Sequence, residues 1–195
     1  MSEGPQDTPA EALFEFDRRV RRVSLRHKHR RAVRALDAFG NLGDQPPLRL
    51  ISAGVFALGL LRCDGRMMQA GARMLLAHEL ATVAKSAVKH RIDRTRPRSA
   101  QGAEGHKPTP GNDRRKEETS FPSGHAAGSM AVALAFSAEY PQYRPLAVAT
   151  SGIIGFSRVP SCAHYPSDVI AGWAIGAAAE AVTGLLWRMI IPGRR

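Results

Sequence analysis

Cysteine is scarce in this chain, whose 195 residues include only Cys63 and Cys162. Two cysteines are too few for a disulfide framework. Residues 1–11 are polar and acidic and lack an apolar stretch, so we expect a disordered tail there and no cleavable secretory signal. An internal apolar segment can still direct a chain into a membrane, so a membrane location stays open.

Acidic residues are also few: 17 Asp and Glu stand against 28 Lys and Arg, which gives a formal net charge of +11. This balance indicates an anionic partner, which can be a nucleic acid, an anionic lipid headgroup or a phosphorylated substrate. The basic residues concentrate in residues 18–34 and 85–116. Aromatic residues do not alternate with basic ones, as they do in proteins that stack on nucleic-acid bases. A nucleic-acid partner is therefore not expected.

Long apolar runs are rare. A membrane-spanning helix needs about 20 mostly apolar residues, and only residues 168–187 meet this length comfortably. Four further apolar segments are shorter or carry charges: 48–61, 67–88, 126–138 and 146–157. Alternation typical of β-strands and internal repeats are both missing. The sequence therefore predicts an all-α fold, a membrane-embedded bundle of about five to six helices.

The chain divides into three predicted regions. After the tail, apolar residues recur at helical spacing between residues 12 and 39 and predict a basic amphipathic helix. Such a helix lies on an anionic membrane surface or packs on the protein itself, and the pattern does not separate the two. A breaker, "GNLGDQPP", then begins a domain over residues 40–195, with its core at 67–190 and a polar loop at 98–121.

Three polar clusters lie beside the apolar segments. "KHRIDRTRPRSA" contains Lys89, Arg96 and Pro97; "FPSGHAAGS" contains Ser123, Gly124 and His125; and "SRVPSCAHYPSDVIAG" contains Arg158, His164 and Asp168. The clusters follow the apolar segments 67–88 and 146–157 and precede the segments 126–138 and 168–187. If consecutive segments run in opposite directions, all three clusters lie at the same end of the bundle. We therefore expect the three clusters to meet. Cys63 falls in an opposite loop and is not expected to reach Cys162.

The three clusters together supply what phosphoryl transfer to a protein nucleophile requires. Lys89, Arg96 and Arg158 are cations that can surround the charged oxygens of a phosphate. A helix that starts at Ser123-Gly124 offers a hydroxyl and free backbone N–H groups to the same anion. His164 can attack through one ring nitrogen while Asp168 holds the other. His125 can protonate the leaving alkoxide.

The order K-x6-R-P, P-S-G-H and S-R-x5-H-x3-D resembles the signature of the type 2 phosphatidic-acid phosphatase superfamily, which includes acid phosphatases and vanadium haloperoxidases. The resemblance covers residues 67–190. It implies a helical-bundle core, no metal or other cofactor, and a phosphohistidine on His164. It further implies that His125 donates a proton, that Asp168 partners His164, and that five groups hold the phosphate: Lys89, Arg96, Ser123, Gly124 and Arg158.

The match departs from the family at one position. Many members have glycine two residues before the third-cluster histidine, where this chain has Cys162, so the conformation of that loop is in doubt. Within the first cluster, Arg91, Arg94 and Arg98 are not expected to bind the phosphate and are expected to face anionic headgroups.

The flanking apolar segments indicate the membrane-bound branch of the family, whose members act on lipid phosphates and diphosphates such as phosphatidate, phosphatidylglycerophosphate and polyprenyl phosphates. We expect a multi-pass protein of a bacterial-type inner membrane, inhibited by vanadate. Excess Lys and Arg mark cytoplasmic loops, which favours a cytoplasmic site. The alternatives are a soluble acid phosphatase or haloperoxidase, a basic protein that binds nucleic acid or lipid surfaces, and a non-catalytic membrane protein.

Overall fold

The structure is a computed structural model that describes residues 8–100 and 107–190. These residues form seven α-helices: α1 Pro9–His27, α2 Arg31–Gly40, α3 Gln45–Leu61, α4 Gly65–Lys89, α5 Gly124–Glu139, α6 Arg144–Ser157 and α7 Pro166–Ile190. Two 3-10 turns cover Asn41–Gly43 and Pro141–Tyr143, and two short antiparallel strands, β1 Ile92–Asp93 and β2 Thr109–Pro110, pair in the loop after α4. The all-α prediction is confirmed, with one helix more than expected.

The additional helix comes from the N-terminal region, where the prediction of one helix over residues 12–39 was wrong. α1 begins earlier, because the Thr8 side chain caps it and Glu11 completes a capping box. The chain leaves the helical conformation at Arg30, within a run of consecutive basic residues that repel one another. The break lets α1 pack against α7 and α2 against α6. Of the predicted tail, residues 1–7 lie outside the described residues.

α1 packs on the protein itself, although several of its apolar side chains remain exposed. Val20 joins a buried cluster with Ala126 of α5, Val159 and Val169 of α7. Asp17, in the middle of the helix, is fully buried. The amphipathic pattern left open a helix on the membrane surface and a helix packed on the protein. The structure shows α1 packed on the protein.

α5 lies at the centre of the bundle, in contact with α4, α6 and α7. The main apolar cluster joins α3, α4, α5 and α7, with Leu48, Met74 and Ala131 among its buried members. Two glycines allow α7 to approach α5 closely: a Cβ at Gly172 would lie 2.5 Å from the carbonyl oxygen of Ser123, and one at Gly176 would lie 2.3 Å from that of Ala127. The two glycines are four positions apart, the G-x-x-x-G spacing that lets two helix backbones approach closely, and here α7 and α5 do so.

The helix order brings the polar clusters to one end of the bundle. α3, α5 and α7 begin at this end, and α4 and α6 end there. The turn between α3 and α4 lies at the opposite end, about 25 Å away, which is the length of the 17-residue α3. Cys63 is exposed in this turn, while Cys162 is buried near the polar end, and both cysteines are free.

Large apolar side chains are exposed on the outer helices. They include Leu50 and Leu61 of α3, Leu146 and Phe156 of α6, and Leu185 and Met189 of α7. Among the described residues, α7 is long and apolar enough to cross a membrane, and α3 is apolar but shorter.

Candidate active site

A polar pocket of about 420 Å³ opens at the end of the bundle where the three clusters meet. Six predicted site residues line it: Lys89, Arg96, Gly124, His125, Arg158 and His164. Lys85, Arg98 and Lys116 also line the pocket, as does one carboxylate, that of Asp44. The structure therefore concentrates positive charge around a space suited to an anion.

The first cluster supplies two cations from one wall. Lys89 is the last residue of α4, and its ammonium group donates to the carbonyl oxygen of Thr119. The Arg96 guanidinium donates from Nε to the carbonyl of Lys116 (2.7 Å) and from Nη1 to that of Ala163 (3.2 Å). Burial, followed by the charges of Arg96 and Lys85, lowers the pKa of Lys89 to about 7. A bound anion would offset these effects and favour the charged lysine.

The second cluster begins α5 and points the start of that helix at the pocket. Ser123 is the N-cap: its hydroxyl accepts from the N–H of Ala126 (3.5 Å). Ser123 is fully buried and is not among the residues that line the pocket, so its hydroxyl serves as a helix cap. At Gly124 a Cβ would lie 3.2 Å from Lys85 Nζ. The small residue lets this lysine approach the helix start.

His125, one residue further, lines the pocket with its ring. Its Nε2 lies 2.9 Å from Oδ1 of Asp44, off the line of a hydrogen bond, and no other described residue offers it one. Burial is the main cause that lowers the pKa of His125, and the charge of Arg158 adds to it. Both effects favour the neutral form of this imidazole.

The third cluster places His164 over Asp168. Nδ1 of His164 lies 3.6 Å from Oδ2 of Asp168, just beyond hydrogen-bond distance, and both side chains are buried. Burial lowers the pKa of His164 to about 4, although Asp168 opposes this effect. The ring is therefore neutral near pH 7, as a nucleophile must be, with Nδ1 directed toward the carboxylate.

Arg158 is held by the N-terminal part of the chain. Its Nη1 donates to Oδ1 of Asp37 in α2 (2.9 Å), and its Nη2 donates to Oδ1 of Asn41 (2.8 Å) and to the carbonyl of Asp37 (3.0 Å). Its Nε is buried and makes no hydrogen bond within the part of the chain that the structure describes. Nothing in the sequence connected α2 with this arginine.

The expectation that Arg94 faces lipid headgroups was wrong. Its side chain is 1% exposed and binds both Asp168 and Asp17. Of its two neighbours, Arg91 is exposed, and Arg98 is exposed at the rim of the pocket. One sequence signal was available: Asp17 lies four residues after Leu13 and three before Val20, so it neighbours apolar positions on α1, and a carboxylate that becomes buried there requires a partner.

The loop that departs from the family pattern has an unusual backbone. Cys162 has φ of +57°, in the left-handed region that favours glycine. A glycine, which the family resemblance predicts at this position, would adopt this conformation without strain. The loop nevertheless keeps its hydrogen bonds, since the N–H groups of Ala163 and His164 both donate to the carbonyl of Arg158 (3.1 and 3.0 Å).

The described helices form a bundle whose ends surround a cationic pocket lined by two imidazoles, and such a pocket is suited to a phosphate group. The chain belongs to the PAP2 superfamily, whose family profile matches residues 70–191. The predicted family is therefore confirmed.

Two relatives and one solved structure illustrate the similarity. The lipid A 1-phosphatase of Rhizobium johnstonii is 44% identical over 68 residues, 35% of this chain and 28% of that protein. The decaprenylphosphoryl-5-phosphoribose phosphatase of Mycobacterium tuberculosis is 33% identical over 133 residues, 68% of each chain. The crystal structure of Aquifex aeolicus LpxE has a TM-score of 0.64 at 18% identity, over 89% of this chain and 95% of that one, which shows a shared fold. The predicted enzyme class agrees with the names of the two relatives.

Proposed function

We propose that this chain is a metal-independent phosphatase that releases phosphate from a lipid phosphate or diphosphate through a phosphohistidine on His164. One observation carries the proposal: a buried histidine lines a pocket rich in cations, with a buried carboxylate behind its Nδ1. This is the arrangement that in-line attack on phosphorus by Nε2 requires.

In the first step the phosphate binds among Lys89, Arg96, Arg158 and the N–H groups at the start of α5. Nε2 of His164 attacks phosphorus, so an N–P bond forms and the bond to the leaving oxygen breaks. Asp168 stabilises the positive charge that develops on the ring of His164. The charge of the bound phosphate raises the pKa of His125, so its imidazole takes up a proton from solvent when the substrate binds. The resulting imidazolium gives this proton to the leaving alkoxide, which departs as the alcohol.

In the second step water hydrolyses the phosphohistidine. His125, neutral after the first step, takes a proton from the water as the oxygen attacks phosphorus. The N–P bond breaks, inorganic phosphate forms, and His164 returns to its neutral form.

An apolar groove supports a lipid as the substrate. The groove has a volume of about 480 Å³ and lies over α5, between α3 and α6. It begins at Leu42, which stands between the pocket-lining residues Asn41 and Gly43, and continues past Leu48, Val132 and Phe136. A hydrocarbon chain placed there leaves its phosphate at the pocket. The two named relatives are also phosphatases of lipids.

A panel of substrates tests this function. Protein purified in detergent, with a chelator present, is expected to release phosphate from at least one lipid among phosphatidate, phosphatidylglycerophosphate, lipid A and polyprenyl mono- and diphosphates. Vanadate is expected to inhibit the reaction, since it adopts the five-coordinate geometry of the transition state. Activity that appears only after addition of a divalent metal contradicts the proposal. So does activity confined to small water-soluble phosphates.

We further propose that the protein is a multi-pass membrane protein with the pocket on the cytoplasmic side. The exposed apolar surfaces of α3, α6 and α7 support the membrane location, and the concentration of Lys and Arg at the pocket end supports the orientation.

Cys63 offers a test of this orientation, because it is exposed at the opposite end of the bundle while Cys162 is buried. If the pocket is cytoplasmic, a membrane-impermeant thiol reagent added to intact cells is expected to label the protein at Cys63. Cys63→Ala is the control and should abolish labelling. Labelling that requires disrupted cells places the pocket on the outer side instead.

A further inference from the structure

Helix α1 reaches the active site through one buried carboxylate. Asp17 has no exposed surface. Its Oδ2 accepts from Nη2 of Arg94 (2.7 Å) and from the hydroxyl of Ser167, and its Oδ1 accepts from the N–H of Ser167 (3.2 Å). A carboxylate enclosed in this way is retained at a cost in solvation, which its partners must offset.

Arg94 connects Asp17 to the carboxylate behind the nucleophile. Its Nη1 donates to Oδ1 of Asp168 and to Oγ of Ser167 (2.7 Å). Its guanidinium carbon lies 4.1 Å from the centre of the Tyr165 ring, which fixes the plane of the group. The result is a row of alternating buried charges, Asp17, Arg94 and Asp168, which we term the Asp17–Arg94–Asp168 chain.

The two oxygens of Asp168 have different surroundings. Oδ1 accepts from Arg94, while Oδ2 accepts from the hydroxyl of Ser120 and the N–H of Tyr165 (2.8 Å) and faces Nδ1 of His164. Arg94 therefore fixes the carboxylate from the side away from the histidine. It also balances part of the negative charge that His164 experiences.

We propose that the Asp17–Arg94–Asp168 chain positions Asp168 and limits its charge toward His164, so that α1 is a working part of the active site. Arg94 and Asp17 are positioning residues, since neither lines the pocket. The inference rests on the proposed role of His164 as the nucleophile. It assigns to the N-terminal helix a function that its basic amphipathic sequence does not suggest.

The sign of the effect follows from the charges. His164 is faced by Asp168 from α7, Lys89 from α4, Arg96 from the loop after α4, His125 from α5 and Arg158 from the end of α6. These groups stay unchanged when Arg94 or Asp17 is replaced. Removing the charge of Arg94 leaves Asp168 unbalanced, which favours protonated His164. Removing the charge of Asp17 leaves Arg94 paired with Asp168 alone. More of the negative charge of Asp168 is then balanced, which favours neutral His164.

The test is the pH dependence of kcat/KM for phosphate release by Arg94→Gln, Arg94→Lys, Asp17→Asn and the double variant Asp17→Asn/Arg94→Gln. Protonation of His164 stops attack, so the acid limb of each profile reports on this group. We expect Arg94→Gln to move the acid limb up by about one pH unit. The double variant should move the acid limb up by less. The acid limb of Arg94→Lys should lie near that of the wild-type protein, and that of Asp17→Asn should not move up.

The double variant guards against misfolding, because it replaces an oppositely charged pair by two amides and leaves the net charge of the chain unchanged. A purely structural role would lower activity in all four variants without this order of acid limbs. Four acid limbs equal to that of the wild-type protein, with His164→Ala inactive, overturn the inference but not the proposed function. An active His164→Ala overturns the proposed function, whatever the profiles show.

Discussion

Replacement of His164 by alanine is expected to abolish phosphate release from lipid phosphates, to below about one-thousandth of the wild-type rate. The substitution removes the protein group that forms a bond to phosphorus in the proposed mechanism. The cations of the pocket remain, so the variant should still bind vanadate or phosphate. The measurement is phosphate release by detergent-purified protein in the presence of a chelator.

His90→Ala is a suitable control, because His90 is exposed just after α4 and lines no part of the pocket. This variant should keep near wild-type activity. Rapid quenching of the wild-type protein with labelled substrate should trap a phosphoryl group that is labile in acid and stable in alkali, as expected for phosphohistidine. Undiminished turnover in His164→Ala would refute the mechanism, and so would a trapped label that the variant retains.

Replacement of His125 by alanine is expected to slow the release of a lipid alcohol by about 10²- to 10⁴-fold, the usual contribution of a general acid. An alkoxide is a poor leaving group and needs the proton that His125 supplies. A nitrophenolate leaves without a proton, so the same variant should cleave a nitrophenyl phosphate with a much smaller loss in the rate of phosphohistidine formation.

The comparison of the two substrates within one variant is its own control, since a general loss of folded protein lowers both rates equally. Single-turnover measurements are needed, because His125 also activates water in the second step and affects steady-state turnover with either substrate. Equal losses for the alkyl and the nitrophenyl substrate would show that His125 is not the proton donor.

The helical bundle and the meeting of the three clusters could be predicted from the sequence, because both depend on local patterns. Apolar segments of helical length set the bundle, and their alternating direction brings Lys89, His125 and His164 to the same end. Ser123 was predicted at a helix start, and it is the N-cap of α5. Its use by the helix rather than by the pocket depends on burial, which the sequence does not show.

The contacts of the N-terminal region could not be predicted, because they depend on pairings between distant residues. Arg94 and Asp17 are 77 positions apart, and Arg158 and Asp37 are 121 apart. In a run as basic as residues 89–98, each arginine has the same local context, so nothing marks Arg94 as the buried one. One pattern indicated a basic partner: Asp17 lies among apolar positions of α1, where a buried carboxylate needs a positive charge.

The contacts of α1 and α2 determine which part of the chain must be expressed to keep the site intact. The region that identifies the family, residues 70–191, includes neither Asp17 nor Asp37. A fragment cut at the predicted domain boundary near residue 40 would contain all three signature clusters. It would nevertheless leave the guanidinium groups of Arg94 and Arg158 without their carboxylate partners on α1 and α2. The smallest unit with these contacts is therefore larger than the motifs suggest, and an expressed fragment should include α1 together with its cap, Thr8.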